Sequence, residues 1–228
     1  KGVGQKKILD YILKSKFSLI YSSPEYLSLI SEHLKANIFW IVASLSNEIK
    51  GVMPFLVKDG PLGAAFNSLA YFGSNGGILQ VEDDEKIKKS ILLRFNEEAL
   101  INRAVSATII TNPLELDCGF YDHNFQYDHK DERIGQITHL DPSDSPKDLL
   151  NRFQSPRARN IRRAEKEGIK VIKGKGDYLD FLIATHTKNM NKINGIPKKK
   201  EFFNLIESNI PSNNWSIFTA LLNDVPIS

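Results

Sequence analysis

The chain has 228 residues, 41% of them hydrophobic and 10% aromatic, enough to bury at least one full core and part of a second. Thirty basic side chains against twenty-seven acidic leave a net charge of +3, so composition gives no general attraction to nucleic acid or to an anionic membrane, and any basic site must be local. The single Cys118 excludes an internal disulfide framework and a cysteine-built metal site; it reads as a small buried hydrophobe, and the composition suits a reducing, cytoplasmic compartment.

No stretch approaches the roughly 20 apolar residues of a membrane helix. PEYLSLISEHL (24–34) has apolar residues at helical spacing behind Ser22-Ser23-Pro24, a cap followed by a first-turn proline. FWIVASL, the polar Ser46-Asn47-Glu48 and IKGVMPFLV read as a β-hairpin. DDEKIKKSILLRFNEEALINRA (83–104) predicts a long amphipathic helix with acidic residues in its first turn, and SATIITN a short strand. Between them, GPLGAAFNSLAYFGSNGGIL carries glycines at 60, 63, 73, 76 and 77; it reads as a loop lining a site, and equally as plain turns.

From 119 to 147 the pattern is irregular. His123 and His129 lie among Asp122, Asp128 and Asp131, but their spacing matches no ligand pattern, so this is read as a solvated loop and no metal site is assigned. IGQITHLD predicts a strand and PSDSPKD a polar connection. Beyond them come a helix over 156–167, a strand at IKVIKG (169–174), a helix over about 177–192, another at KKKEFFNLIESNI and a strand at WSIFTALL.

One internal repeat stands out. EYLSLISEHLKANIFWIVASLSNEIKGV from Glu25 and EFFNLIESNIPSNNWSIFTALLNDVPIS from Glu201 align, with a one-residue gap, through the helix, the tryptophans Trp40 and Trp215, an apolar strand and a polar Asn-acid turn. The expected class is therefore α+β, a mixed sheet flanked by helices. The first unit would span 1–176, and 177–228 would begin a second, truncated one.

FQSPRARNIRRAEKEG (153–168) opens a helix with arginines and no acidic residue. With Ser155 as N-cap, Pro156 as first helical residue and Gly168 as stop, Arg157 and Arg159 fall at the end that already carries the positive pole of the helix dipole. Ala158, Ile161 and Ala164 define one face, Arg159, Arg163 and Lys166 the opposite one, with Asn160 and Arg162 flanking. Free amides and guanidinium forks together suit a phosphate or carboxylate. A pyrophosphate, a nucleotide-linked sugar and an RNA backbone all satisfy that chemistry.

NIRRAEKEGIKV, with the preceding arginines and ITHLD, together with SSPEYLSLI, IKGVMPFLV, YFGSNGGIL and NGIPKKKEFF, resembles the FemAB-like acyltransferases, a branch of the GNAT superfamily with two such folds in tandem. The resemblance covers nearly the whole chain. It implies acyl or aminoacyl transfer to an amine of a nucleotide- or lipid-linked cell-envelope acceptor, related to the peptidoglycan enzymes that use aminoacyl-tRNA. It further implies that the first unit holds the acceptor, with Arg157, Arg159, Asn160 and Arg162 on its phosphates and Tyr71, Gly73, Gly76 and Gly77 lining the same cleft.

The acyl donor, aminoacyl-tRNA or acyl-CoA, is expected on the second unit and no cofactor on the first, because no Arg/Gln-x-x-Gly-x-Gly/Ala loop occurs here. Ile30 stands where the peptidoglycan enzymes usually place a lysine, one turn after Tyr26. No catalytic base is assigned; Asp141 and His139 are conceivable. The second class of reading is a non-catalytic nucleotide- or RNA-binding module using the basic helix.

Overall fold

The computed structural model describes the chain apart from residues 1–3, 70, 72–74, 116–118, 133 and 136. Two compact units divide it, Lys1–Glu132 and Arg133–Ser228. Compactness and the internal repeat thus cut the chain at different points. The strand at 170–174, which the repeat would leave in the first unit, pairs with the one at 217–222.

In the first unit, α1 (Gln5–Ile12) and α2 (Pro24–Leu34) precede a hairpin of β1 (Asn37–Leu45) and β2 (Glu48–Gly60). Then follow β3 (Gly63–Ser68), α3 (Glu85–Ile101), β4 (Ser106–Ile109) and α4 (Gly119–Asn124). The sheet order is β1-β2-β3-β4; the first two pairings are antiparallel and β3–β4 is parallel. A parallel pair needs a crossover, and α3 lies on it. The helix begins where Asp84 accepts hydrogen bonds from the amides of Lys86 and Ile87, and it buries Ile91, Leu92, Phe95 and Ala99.

Phe95 is the centre of that core, with its ring edge-on to Phe55 at 5.5 Å and to Phe66 at 6.2 Å. Truncating such a ring to alanine costs about 3–5 kcal/mol. Ser23 caps α2 through its hydroxyl, which accepts from the amide of Tyr26 at 3.2 Å, and Pro24 stands in the first turn as expected.

The second unit contains α5 (Pro146–Arg152), α6 (Arg157–Lys166), β5 (Lys170–Gly174), α7 (Leu179–Lys192), α8 (Lys200–Asn209), β6 (Ile217–Leu222) and β7 (Val225–Pro226). Its sheet is antiparallel in the order β5-β6-β7. The repeated passages share local geometry. In the first, Ser46 and Asn47 both adopt positive φ between paired Leu45 and Glu48; in the second, Asn223 and Asp224 do so between Leu222 and Val225. Both are two-residue turns of the mirror-image type that suits the twist of a hairpin.

The α+β class read from the sequence is what the structure has. Four local readings need correction. The stretch from Gly60 is not all loop, because GAAFNS forms β3, held by β2 on one edge and β4 on the other. ITHLD forms no strand over 137–141, where the backbone has no ladder partner. The polar connection contains α5, with a reciprocal cap between Ser145 and Asp148. Finally, α6 begins one residue later than expected: Pro156 holds the N-cap position, and no side chain caps the helix.

Candidate functional site

The arginine helix ends as its sequence dictates. Gly168 takes φ +83°, its amide donates to the carbonyl of Glu165, and the amide of Ile169 donates to that of Ala164. This paired closure uses two of the last carbonyls. At the other end the amide of Arg157 donates to the carbonyl of Gln154 and that of Asn160 to Pro156, while proline brings no capping side chain. The first-turn amides therefore face a helix start without a side-chain acceptor, at the positive pole of the dipole.

Ala158 and Ala164 are half-buried on one side, and Arg157, Arg159, Asn160 and Arg162 are exposed. Arg163 donates through Nε to Glu167 at 2.7 Å, an ion pair one turn along the helix that holds the guanidinium charged. Among the described residues no carboxylate lies within ion-pair distance of Arg157, Arg159 or Arg162. Along α6, which no side chain caps, Arg157, Arg159, Arg162 and Asn160 are exposed, and among the described residues the three guanidinium groups form no ion pair. The whole second unit leans the same way, with sixteen Lys and Arg against ten Asp and Glu, whereas the first has fourteen against seventeen.

Tyr71, Gly76 and Gly77 belong to the first unit; Gly73 lies outside the described residues. Tyr71 is half-buried beside His33, ring centroids 5.7 Å apart, and its carbonyl accepts from the Tyr26 hydroxyl at 3.5 Å. Burial, and then the neighbouring Tyr26, push the Tyr71 phenol up to about 12. Gly76 and Gly77 have a packing reason of their own. A Cβ on Gly76 would stand 2.5 Å from the Ser68 backbone, and one on Gly77, at φ +88°, 2.7 Å from the Tyr121 hydroxyl oxygen. Their amides donate to the Ile110 carbonyl at 2.8 Å and to the Ser68 hydroxyl at 3.0 Å. That hydroxyl in turn donates to the Pro54 carbonyl at 2.8 Å.

The conceivable bases are exposed. The Ser143 hydroxyl and amide donate to the Asp141 carboxylate at 2.6 and 2.8 Å and hold its pKa below the usual carboxylate range, away from what a general base near neutrality needs. His139 contributes its backbone carbonyl to Arg152 at 3.3 Å. Ile30 is a core residue, 1% exposed, so the lysine of the peptidoglycan enzymes has no counterpart there. Among the described residues no group of His, Cys, Asp or Glu is placed to hold a metal ion. Cys118 lies outside them.

Sequence reading passed over Tyr121 and Lys88. Tyr121 stands in the stretch taken as irregular; its hydroxyl accepts from the Ile78 amide at 3.0 Å. Lys88, only 7% exposed, pairs with Asp83 at 2.7 Å and Glu115 at 3.0 Å. A lysine at the inward position of an amphipathic helix was the available signal.

These two sheets and the helices on them define a FemAB-like fold. The solved structure that carries this is the crystal structure of FemX, which matches with a TM-score of 0.66 and 16% identity over 96% of this chain. The match covers 57% of FemX, so the chain spans little more than half of that protein's length. No protein-family model matches the chain, and no curated protein does. Among the described residues no helix is long and apolar enough to cross a membrane.

Proposed function

We propose that this chain is part of a FemAB-like N-acyltransferase, transferring an acyl or aminoacyl group to an amine of a nucleotide- or lipid-linked cell-envelope acceptor. The observation that carries the reading is the start of α6, which no side chain caps, followed by the exposed Arg157, Arg159 and Arg162, which form no ion pair among the described residues, within a fold shared with FemX. Pyrophosphate would complete both the amides and the guanidinium forks, with Asn160 donating beside them.

Tyr71, Gly73, Gly76 and Gly77 enter the proposal as a substrate-facing segment of the first unit. The donor, aminoacyl-tRNA or acyl-CoA, is assigned to a tandem GNAT-like second fold, and the setting is cytoplasmic. The shared helix, tryptophan, strand and left-handed turn of the two repeated passages support the tandem reading.

Equilibrium titration of the chain with a UDP-linked muropeptide and with a tRNA, each at about 50 and 200 mM salt, tests the assignment. The acceptor reading expects saturable muropeptide binding with a shallow salt dependence. Muropeptide failing to bind, with tRNA affinity falling by orders of magnitude across that range, would transfer the site to an RNA-binding module.

A further inference from the structure

α1 places Ile8 and Ile12 beside Val52 and Leu79 in one core cluster of the first unit. At about 100° per residue, Lys6, Lys7, Asp10, Leu13 and Lys14 fall within one arc of about 120° on the opposite side. All five are exposed. In the turn that follows Lys16 is exposed as well, and Phe17 and Ile20 are 39% and 42% exposed, against 72% for Leu13. Over residues 13–20, three apolar side chains and two lysines thus face solvent.

The backbone beneath these side chains is anchored. The Ser15 hydroxyl donates to the Gln80 carbonyl at 3.0 Å, and the Phe17 carbonyl accepts from the buried Asn112 side chain. The amides of Ser15 and Ser18 close turns on the carbonyls of Ile12 and Ser15. Turning the apolar side chains inward would break these bonds, so their exposure is built into the fold.

Charge complementarity names the partner. Over residues 4–20 four lysines stand against Asp10 alone, in a unit that carries fourteen basic and seventeen acidic side chains. Among the described residues none of Lys6, Lys7, Lys14 and Lys16 forms an ion pair. A soluble polyanion would satisfy the lysines and leave the apolar side chains in water; an apolar protein groove would do the reverse. The interface of an anionic bilayer takes both, with phosphates for the ammonium groups and the acyl boundary for Leu13, Phe17 and Ile20. We propose that this face of α1 and its following turn docks on an anionic lipid surface. The surface goes beyond the transfer reading and does not rest on it.

Sedimentation of the chain with phosphatidylcholine vesicles, with and without about 30% phosphatidylglycerol, tests the proposal. The expected result is binding to the anionic vesicles at least about tenfold tighter than to the neutral ones, weakening between about 50 and 200 mM salt. Leu13→Ser with Ile20→Ser, both on exposed side chains, should lower vesicle affinity at least about tenfold with the thermal midpoint unchanged, and so should Lys14→Ala with Lys16→Ala. Neither pair touches α6, so binding that survives both lies elsewhere on the chain and overturns the proposal. Equal affinity for the two vesicles, or no binding to the anionic ones, overturns it as well. Light scattering checks the other occupant: a dimer that Leu13→Ser with Ile20→Ser dissociates, without vesicle binding, would give the face to a second copy. Should the serine pair lower the thermal midpoint, the lysine pair decides.

Discussion

Gly77 and Tyr121 fix one another. The Tyr121 hydroxyl accepts from the amide of Ile78 at 3.0 Å, and the same oxygen stands 2.7 Å from where a Cβ of residue 77 would be. The loop can close on the tyrosine only because residue 77 has no side chain and takes φ +88°. Gly77→Ala should destabilise the first unit by about 1–3 kcal/mol, from left-handed strain plus displacement of the phenol. Gly76→Ala should cost at least as much, since its Cβ would meet backbone, which cannot rotate away. Urea midpoints at constant m-value check both.

Tyr121→Phe removes the acceptor for a buried amide without changing the ring's packing. Leaving that amide unpaired costs about 1–3 kcal/mol, and the fold should otherwise persist. An unchanged urea midpoint would mean that the Ile78 amide finds another partner.

Burial holds the Tyr121 and Tyr71 phenols above the ordinary value of 10.0, the first further raised by Glu115 and the second by Tyr26. Lys88 is also raised above 10.5; burial opposes the shift, but its hydrogen bonds to Asp83 and Glu115 and their charges outweigh it. For each group the unfolded chain loses its proton first, so the native state binds more protons as pH rises and stability falls. The stabilisation is complete below about pH 10 and lost through pH 10 to 12. Unfolding free energy followed across that window should decline, and Tyr121→Phe should decline less steeply than the wild type.

Lys88→Met tests the buried pair from the other side. Removing the cation takes from Glu115, whose side chain is 10% exposed, its ion pair at 3.0 Å. Breaking a buried pair in this way costs about 3 kcal/mol or more. The variant's loss should shrink as pH falls through the carboxylate range, measured by chemical denaturation at pH 4 and 7.

Much of this architecture is legible locally. α2 and α3 declare themselves through Ser23-Pro24 and Asp84, and the first hairpin through its alternation and Asn47. β3 is not, because Gly63-Ala64-Ala65 has little strand propensity and its conformation is imposed by β2 and β4. ITHLD errs in the opposite way, β-branched yet without a partner strand. α5 was signalled by Ser145-Pro146 with Asp148 three residues after the cap, the kind of signal that placed α2. Of the candidate site, the arginine face of α6 was readable from charge and periodicity. What local sequence could not tell is that Arg163 is tied to Glu167, and that Gly76 and Gly77 answer to Ser68 and Tyr121.

If α6 holds the acceptor's phosphates, as proposed, a UDP-linked muropeptide should bind through its arginines. Arg157, Arg159 and Arg162 are exposed and form no ion pair among the described residues, so Arg157→Ala with Arg162→Ala should leave the thermal midpoint unchanged and weaken the ligand at least about tenfold. Arg163→Ala, whose guanidinium is occupied by Glu167, should change affinity by less than about twofold. Equal affinity of the double variant and the wild type, with the fold intact, would contradict the account.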